Sequence, residues 1–284
     1  MKIIVTGSHG FMGKKLVKSL KINGHEICSV DFATGYDVAE WDSVKDLKGF
    51  DVLIHLAAIT YVPQSFKTPR EMFRVNISGT LNMLELCRIN KAKMIFNSSY
   101  VYGKPQYLPI DEKHPISSHN PYCQSKIIGE SLCEGYHRDF QVPIVIFRIF
   151  NVYGEGQAPH FLIPHISKEL AQNNDIVLEN PVPRRDYIHI DDILKAYQKA
   201  IDYNESDFEI FNIGTGISYS ARKVAELMIK ASAVKPKLRF TGKERANEVL
   251  DTVADISKIQ KVLNWTPSIT LEQGLYGLVD KITN

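Results

Sequence analysis

The stretch Met1-Lys-Ile-Ile-Val-Thr-Gly-Ser-His-Gly-Phe-Met-Gly13 decides how the rest of the chain reads. Lys2 to Val5 is a short apolar run with β-branched residues and reads as a strand. Gly7, Gly10 and Gly13 follow, and residues 11–22 carry Leu16, Val17, Leu20 and Ile22 at helical spacing. A strand that turns at once into a helix leaves the first helical N–H groups unpaired and aimed at the turn. Those donors make an anion site, and glycines let a pyrophosphate approach the backbone. The spacing is G-x-x-G-x-x-G, a variant of the commoner G-x-G-x-x-G. Glycines alone establish only a tight turn. With a strand before them and a helix after, they point to a dinucleotide held by Gly7, Gly10, Phe11, Met12 and Gly13.

Outward from this turn, apolar runs fall at 26–30, 51–55, 93–97 and 143–148, separated by helical stretches near 41–47, 70–90 and 120–139. Such alternation indicates a parallel sheet covered on both faces. The second run ends in Val30-Asp31-Phe32, and an acidic residue there bonds the ribose hydroxyls of an adenosine. No Arg or Lys follows directly to take a 2′-phosphate, which favours NAD over NADP. After Gly154 the prolines at 159, 164, 181 and 183 break the alternation, and strands become isolated at 176–178, 187–190, 208–213 and 237–240. The expected fold is therefore α/β, a Rossmann-type doubly wound parallel sheet over 1–154 with a smaller C-terminal α+β substrate lobe over 155–284. Some segments of that lobe are expected to return to the first domain.

Composition narrows the class. With 44% hydrophobic and 23% charged residues, the 284-residue chain suits a soluble protein with a sizeable core. A net charge of +2, with no basic cluster interleaved with aromatics, argues against nucleic acid as a partner. Nothing approaches the roughly 18 uninterrupted apolar residues of a membrane span, and the start of the chain leaves no room for a signal peptide. Cys28, Cys87, Cys123 and Cys133 show neither a C-x-x-C pair nor zinc spacing. Reduced thiols, a cytoplasmic location and no metal are expected.

Tyr122-Cys-Gln-Ser-Lys126 follows Asn120-Pro121, a helix start with proline in the first turn. Spacing of four puts phenol and ammonium on one helical face. A lysine charge beside a tyrosine favours the phenolate and lowers its pKa from about 10. Tyr122 can then act as general base or acid on a sugar or alcohol hydroxyl; the plain alternative is a surface pair. Ser98 and Ser99, in Phe96-Asn-Ser-Ser-Tyr-Val-Tyr-Gly103, lie at the carboxyl end of a strand, where open α/β sheets bind ligands. Either hydroxyl qualifies to bond the reacting hydroxyl and pass its proton to the tyrosine; one of them could equally just cap the strand end.

These motifs stand in order with His55-Leu-Ala-Ala58, Asn76 with Gly79-Thr80, and Arg148-x-x-Asn-Val-Tyr-Gly154. Arg185-Asp-Tyr-Ile-His-Ile-Asp-Asp192, Phe211-Asn-Ile-Gly-Thr-Gly216 and Trp265-x-Pro267 come after them. The whole set resembles the extended short-chain dehydrogenase/reductases of the NAD-dependent nucleotide-sugar epimerase/dehydratase type, such as the UDP-glucose 4-epimerases. The resemblance implies NAD in the first lobe and a nucleotide-diphosphate sugar, a UDP-sugar first of all, in the second. Aligned on Val101-Tyr102-Gly103, it makes Ser98 the catalytic hydroxyl, Tyr122 the base and Lys126 the holder of the ribose, with Ser98, Ser99 and Tyr122 touching substrate. It puts Leu56, Ala57 and Ala58 on the nicotinamide side, Asp37 and Val38 at the adenine, and Asn76 on the cofactor. Asn151, Arg185 and Arg245 match contacts to the nucleotide diphosphate, for which a planar guanidinium fork is well suited. Relatives dimerise through two helices per subunit, here near 70–90 and 120–139, with Met72, Phe73, Met83, Leu84 and Leu86 offering apolar surface, some of which must face the sheet.

The sequence departs from that family in three places. Ser99 and Tyr100 stand where dehydratases carry an Asp-Glu pair, so 4,6-dehydration lacks its proton donor. The stretch between the second strand and His55 is short, which trims the adenine side. Glu179-Asn-Pro-Val-Pro-Arg-Arg185 replaces a Gly-Asp-Gly turn. The expected activity is a nucleotide-sugar 4-epimerase, with a nucleotide-4-keto-6-deoxysugar reductase as the alternative.

Overall fold

The computed structural model describes residues 1–244 and 248–283. The chain opens with β1 (Lys2–Thr6), α1 (Phe11–Ile22), β2 (Glu26–Val30), α2 (Trp41–Val44) and β3 (Val52–His55). Then come α3 (Val62–Lys67), α4 (Pro69–Phe73), α5 (Gly79–Asn90), β4 (Lys93–Asn97), α6 (Pro121–Phe140) and β5 (Ile144–Ile149). β6 (Asn151–Tyr153), α7 (Leu162–Ala171), β7 (Ile176–Leu178), β8 (Arg184–His189), α8 (Ile190–Asp202) and β9 (Phe208–Ile213) follow. β10 (Ser218–Ser220), α9 (Ala221–Ala231), β11 (Leu238–Phe240), α10 (Ser257–Leu263) and α11 (Leu271–Thr283) complete the order. Contacts divide the chain into two units. The first takes Met1–Gly103, Pro115–Ile149 and Leu194–Asn212; the second takes Lys104–His114, Phe150–Ile193 and the described residues from Ile213 on.

The first unit is built on a six-stranded sheet in the order β2-β1-β3-β4-β5-β9. β1 to β5 pair in parallel. β3 and β5 are buried at every position, as strands covered on both faces must be. Leu53, Met94, Phe96 and Ile146 of the sheet join Met83, Leu84 and Leu86 of α5 in one core. The fold is thus the Rossmann-type doubly wound sheet. Among the described residues no strand lies beyond β2, because the short connection from β2 to β3 makes only a 3-10 turn and the four residues of α2. The strand order reverses between β1 and β3, and such a switch point is where open α/β sheets bind ligands.

The helix expected over 70–90 is real but not uniform. A π turn, Arg74–Ser78, joins α4 to α5, and π turns are frequent at functional sites. Met72, Met83, Leu84 and Leu86 do not supply exposed apolar surface: each is at most 1% exposed, because the apolar stripe packs inward. The exposed large apolar residues of α5 are Leu81 and Ile89. Cys28, Cys87, Cys123 and Cys133 are free thiols, and no described helix is long and apolar enough to cross a membrane.

The second unit has two small sheets, β10-β8-β6 and β11-β7. β8 runs parallel to β6 and antiparallel to β10. Its strand starts at Arg184, ahead of the expected 187, and β6 and β10 have only three residues each, too few to show a period. Tyr153, Ile163, Ile166, Tyr187, Val224, Leu275 and Val279 form its core. Two aspartates brace its loops. Asp186, fully buried, accepts the N–H groups of Thr215, Gly216 and Ala254 at 2.8, 2.9 and 3.1 Å. Asp192 accepts those of Ser268 and Ile269 at 3.0 and 2.9 Å.

Gly274 of α11 shows how tightly this unit is filled. A Cβ there would meet the Tyr153 hydroxyl at 2.1 Å and His189 Cδ2 at 3.1 Å. The Tyr153 ring is 1% exposed and packs edge-on against His189, so it has nowhere to go. Gly274→Ala is expected to destabilise the protein by about 1–3 kcal/mol, overpacking outweighing the gain in helix propensity. Urea unfolding checks this; a stabilised variant would show that the Tyr153 ring can move.

Candidate active site

The glycine turn is built by close approach. Gly7 sits at φ 66°, and a Cβ on it would fall 2.7 Å from the Ala57 nitrogen, where β1 and β3 diverge. A Cβ on Gly13 would lie 2.0 Å from the Gly7 carbonyl oxygen. Gly10 is the extended N-cap residue of α1; among the described residues no side chain caps this end, and its first turn has no acid. With no acid of its own in the first turn, α1 presents the opening N–H groups at Phe11 and Met12 as an electropositive end suited to a phosphate. Asp31, at the end of β2, accepts the His9 N–H at 2.9 Å and the Ala33 N–H at 3.0 Å. These residues fit a dinucleotide: the cradle is one that any side chain would fill, with a carboxylate fixed beside it.

β3 ends beside the same turn. Thr6 Oγ1 accepts the N–H groups of Leu56 and Ala57 at 3.2 and 3.1 Å and pairs with His55 Nδ1 at 2.8 Å. Burial, helped by the Lys126 charge, pushes His55 down to about 3, so its ring is neutral. Leu56, Ala57 and Ala58 are partly exposed. Asn76, expected at the cofactor, is held by the protein itself. It is 3% exposed, its Oδ1 accepts the Ile59 N–H at 2.8 Å, and its Nδ2 donates to Ser125 Oγ at 2.8 Å. The π turn thus ties the loop after β3 to α6. Asp37 is held by Arg74 at 2.9 Å and by the Ala39 N–H at 3.0 Å, and Val38 is buried against Gly79.

One stripe of α6 carries Tyr122, Lys126 and Glu130 at intervals of four. Asn120 caps the helix through the Cys123 N–H at 2.8 Å. The expected effect of Lys126 on Tyr122 is corrected here. The lysine stem runs inward to the end of β4, where Nζ donates to the Asn97 carbonyl at 2.6 Å. Burial raises the Tyr122 phenol above its ordinary value, and the influence that opposes burial is a hydrogen bond with Ser99. Ser98, expected as the catalytic hydroxyl, is tied to the same helix. Its hydroxyl, 1% exposed, donates to Glu130 Oε1 at 2.5 Å. Arg148 Nη2 closes an ion pair with Glu130 at 2.7 Å, with both side chains under 10% exposed. Glu130 and Arg148 escaped the sequence reading as partners, although Glu130 continues the Tyr-Lys spacing.

Lys126 is stored charge. Burial pulls its ammonium from 10.5 down to about 8. The unfolded chain keeps that proton to about pH 10.4, so below about pH 8 the folded protein bears the whole cost of the buried charge. As pH rises from about 8 to 10 the cost fades, because the unfolded state binds the extra proton. One pKa unit is roughly 1.4 kcal/mol, which sets the cost at about 3 kcal/mol. Lys126→Met is therefore expected to raise the melting temperature of cofactor-free protein at neutral pH, the gain shrinking in alkaline buffer. Paired melts at the two pH values check this; an equal gain at both would show a hydrated ammonium.

The second unit contains a cavity of about 370 Å³ lined by Asn151, Tyr187, Arg185, Glu179, Asn180 and Glu248 among others. Arg185 Nη1 donates to the Val249 carbonyl at 2.7 Å, and Asn180 Nδ2 donates to Glu248 at 3.1 Å. Asn151 and Arg185 were anticipated; Glu248 and Tyr187 were not. Glu179, Asn180 and Pro183 bring the unusual 179–185 segment into the lining. Arg245 lies outside the described residues.

Comparison with known proteins identifies a family. The model of the NAD dependent epimerase/dehydratase family matches residues 3–214. Human UDP-glucose 4-epimerase is 30% identical, covering 96% of this chain and 93% of its own. The GDP-6-deoxy-D-mannose reductase of Pseudomonas aeruginosa is 28% identical, covering 98% and 96%. The crystal structure of UDP-glucuronic acid 4-epimerase from Bacillus cereus, in complex with UDP-glucuronic acid and NAD, matches with a TM-score of 0.89 at 29% identity, covering 100% of this chain and 99% of that one.

Proposed function

The chain belongs to the NAD dependent epimerase/dehydratase family, and we propose that within it the protein is a nucleotide-diphosphate-sugar 4-epimerase working through a transient 4-keto sugar. The observation that carries this reading is Tyr122 on the α6 stripe with Lys126 one turn on, where the Asp-Glu pair of a dehydratase is replaced by Ser99 and Tyr100. NAD, when bound, supplies a reversible hydride acceptor for the sugar carbon. Gly7, Gly10, Phe11, Met12 and Gly13 hold its pyrophosphate, Asp31 its ribose, and Asp37 and Val38 flank the adenine. Tyr122 takes the proton from the C4 hydroxyl as the carbonyl forms and returns it when the carbonyl is reduced. Lys126, fixed by the Asn97 carbonyl, holds the ribose hydroxyls. Epimerisation requires the keto sugar to present both faces, so the firm grip belongs on the nucleotide diphosphate. Arg185, Asn151 and Arg245 supply it, and a UDP-sugar is the proposed substrate.

The reductase of 4-keto-6-deoxysugars remains the second reading, favoured by the similarity to the Pseudomonas aeruginosa enzyme. To separate the two, purified protein is denatured, any released dinucleotide is identified, and native protein is incubated with nucleotide sugars without added cofactor. Co-purified NAD(H) and interconversion of a C4 pair are expected. Empty protein that turns over only with added NAD(P)H and a 4-keto sugar overturns the epimerase. The proposal includes a homodimer through α5 and α6 in the cytoplasm; light scattering that finds a monomer at micromolar concentration refutes the dimer.

A further inference from the structure

We infer that Arg74 is a positioning residue for the adenine end of the dinucleotide: by gripping Asp37 it aims that carboxylate at the base, and so sets the base preference without touching the cofactor. This rests on the reading above in which Asp37 flanks the adenine.

The need for a pin follows from the short connection between β2 and β3. Asp31 ends β2 and serves the ribose, so the base beyond that ribose meets the residues that come next. Those residues have little structure of their own, a 3-10 turn over Phe32–Thr34 and the four residues of α2. Among the described residues no strand lies beyond β2 to hold them. A loop that orders only when its ligand arrives weakens binding by the freedom it loses.

The π turn supplies the order, and Arg74 opens it. Its Nε and Nη2 donate to Glu71 Oε2 and Oε1 at 2.9 Å each, a bidentate fork that fixes the guanidinium plane. From that plane Nη2 donates to Asp37 Oδ2 at 2.9 Å and Nη1 to Glu40 Oε1 at 2.8 Å. Asp37 is held at its other side too. Its Oδ1 accepts the Ala39 N–H at 3.0 Å, and its own N–H donates to Ser43 Oγ at 2.9 Å. Asn82 Nδ2 of α5 donates to the next carbonyl, that of Val38, at 2.9 Å. The Asp37 side chain is 22% exposed, against 49% for Glu71 and 64% for Glu40, so it is the carboxylate whose direction the network decides. Pairs this exposed add little stability; the effect of the fork is on geometry.

A carboxylate has about four lone-pair sites, and the bonds from Arg74 and Ala39 leave Asp37 able to accept again. What it can accept is a donor. Adenine offers the N–H of its exocyclic amine, whereas a base with a carbonyl at that position offers only lone pairs and is repelled.

The test uses the full-length protein stripped of any nucleotide it carries and two ligands, NAD and its analogue with hypoxanthine in place of adenine. Calorimetry gives both dissociation constants for wild type, Arg74→Met, Arg74→Lys, Asp37→Ala and the Arg74→Met/Asp37→Ala double variant. Wild type is expected to bind NAD roughly 10-fold more tightly than the analogue, the low end for one hydrogen bond to a charged group. Arg74→Met is expected to cut that preference below about threefold by weakening NAD, with little change in melting temperature. Arg74→Lys, which keeps the charge and loses the fork, should restore part of it. With Asp37 already alanine, Arg74→Met should change neither constant, because a residue that acts through Asp37 then has nothing to act on. An Arg74→Met protein that keeps the full preference overturns the inference. So does an equal loss for both ligands, which marks a general loosening of the loop. Wild type that binds the two alike overturns it as well, since Asp37 then does not meet the amine. Wild type that binds neither ligand defeats the dinucleotide reading itself, a failure distinct from these.

Discussion

Glu130→Ala is expected to cost about 3–5 kcal/mol of folding stability, the usual consequence of removing one partner of a buried ion pair. The size follows from what is left behind. Arg148, 3% exposed, loses its counter-charge, and the Ser98 hydroxyl loses its acceptor. The guanidinium cannot escape by shedding its proton, because its pKa is too high. Glu130→Gln keeps an acceptor for Ser98 but not the charge, and should fall between wild type and alanine. A double variant that replaces the pair with leucine and methionine should regain much of the loss, since apolar residues of similar volume often match a buried pair. Urea unfolding of the three variants checks the order. A loss under about 1 kcal/mol for Glu130→Ala would mean that water reaches Arg148.

Tyr122→Phe is expected to lower kcat by roughly two to four orders of magnitude, the range for a lost general base. Only the oxygen that accepts the proton is removed, while the ring and its packing stay. Cofactor retention and melting temperature should therefore change little, which separates a chemical defect from a folding one. Burial raises the Tyr122 phenol, so the base form is the minor one near neutrality. The wild-type rate should climb with pH for that reason, and the phenylalanine variant should lose the climb. A variant within threefold of wild type would remove Tyr122 from the chemistry.

Local patterns were readable in the sequence, and contacts made across it were not. The glycine turn, the five parallel strands and the Tyr122–Lys126 spacing each sit within a few residues, so periodicity and turn chemistry expose them. Ser98 and Ser99 are neighbours in an irregular segment, and the partner of Ser98, Glu130, comes from another element. The direction of Lys126 was hidden for the same reason: a shared helical face does not say which carbonyl a four-carbon stem will reach. The partners of Asn76, Ile59 and Ser125, could not be read from the sequence because they lie 17 and 49 residues away. Asp186 and Asp192 stood inside a recognisable motif, yet their work is to brace loops that spacing alone could not join to them. Arg245 stays an expectation.

The order in which the sheet is completed bears on how the protein is born. Its first five strands have been synthesised by residue 149, but the sixth is not made until residues 208–213. Until then β5, buried at all six positions in the finished protein, offers the ribosome's surroundings a bare apolar edge. Such an edge is a template for a second chain, and nascent polypeptides of intermediate length are the ones a holding chaperone must shield. A fragment stopped at residue 154 would lack the strand that covers that edge and is expected to self-associate, which light scattering checks.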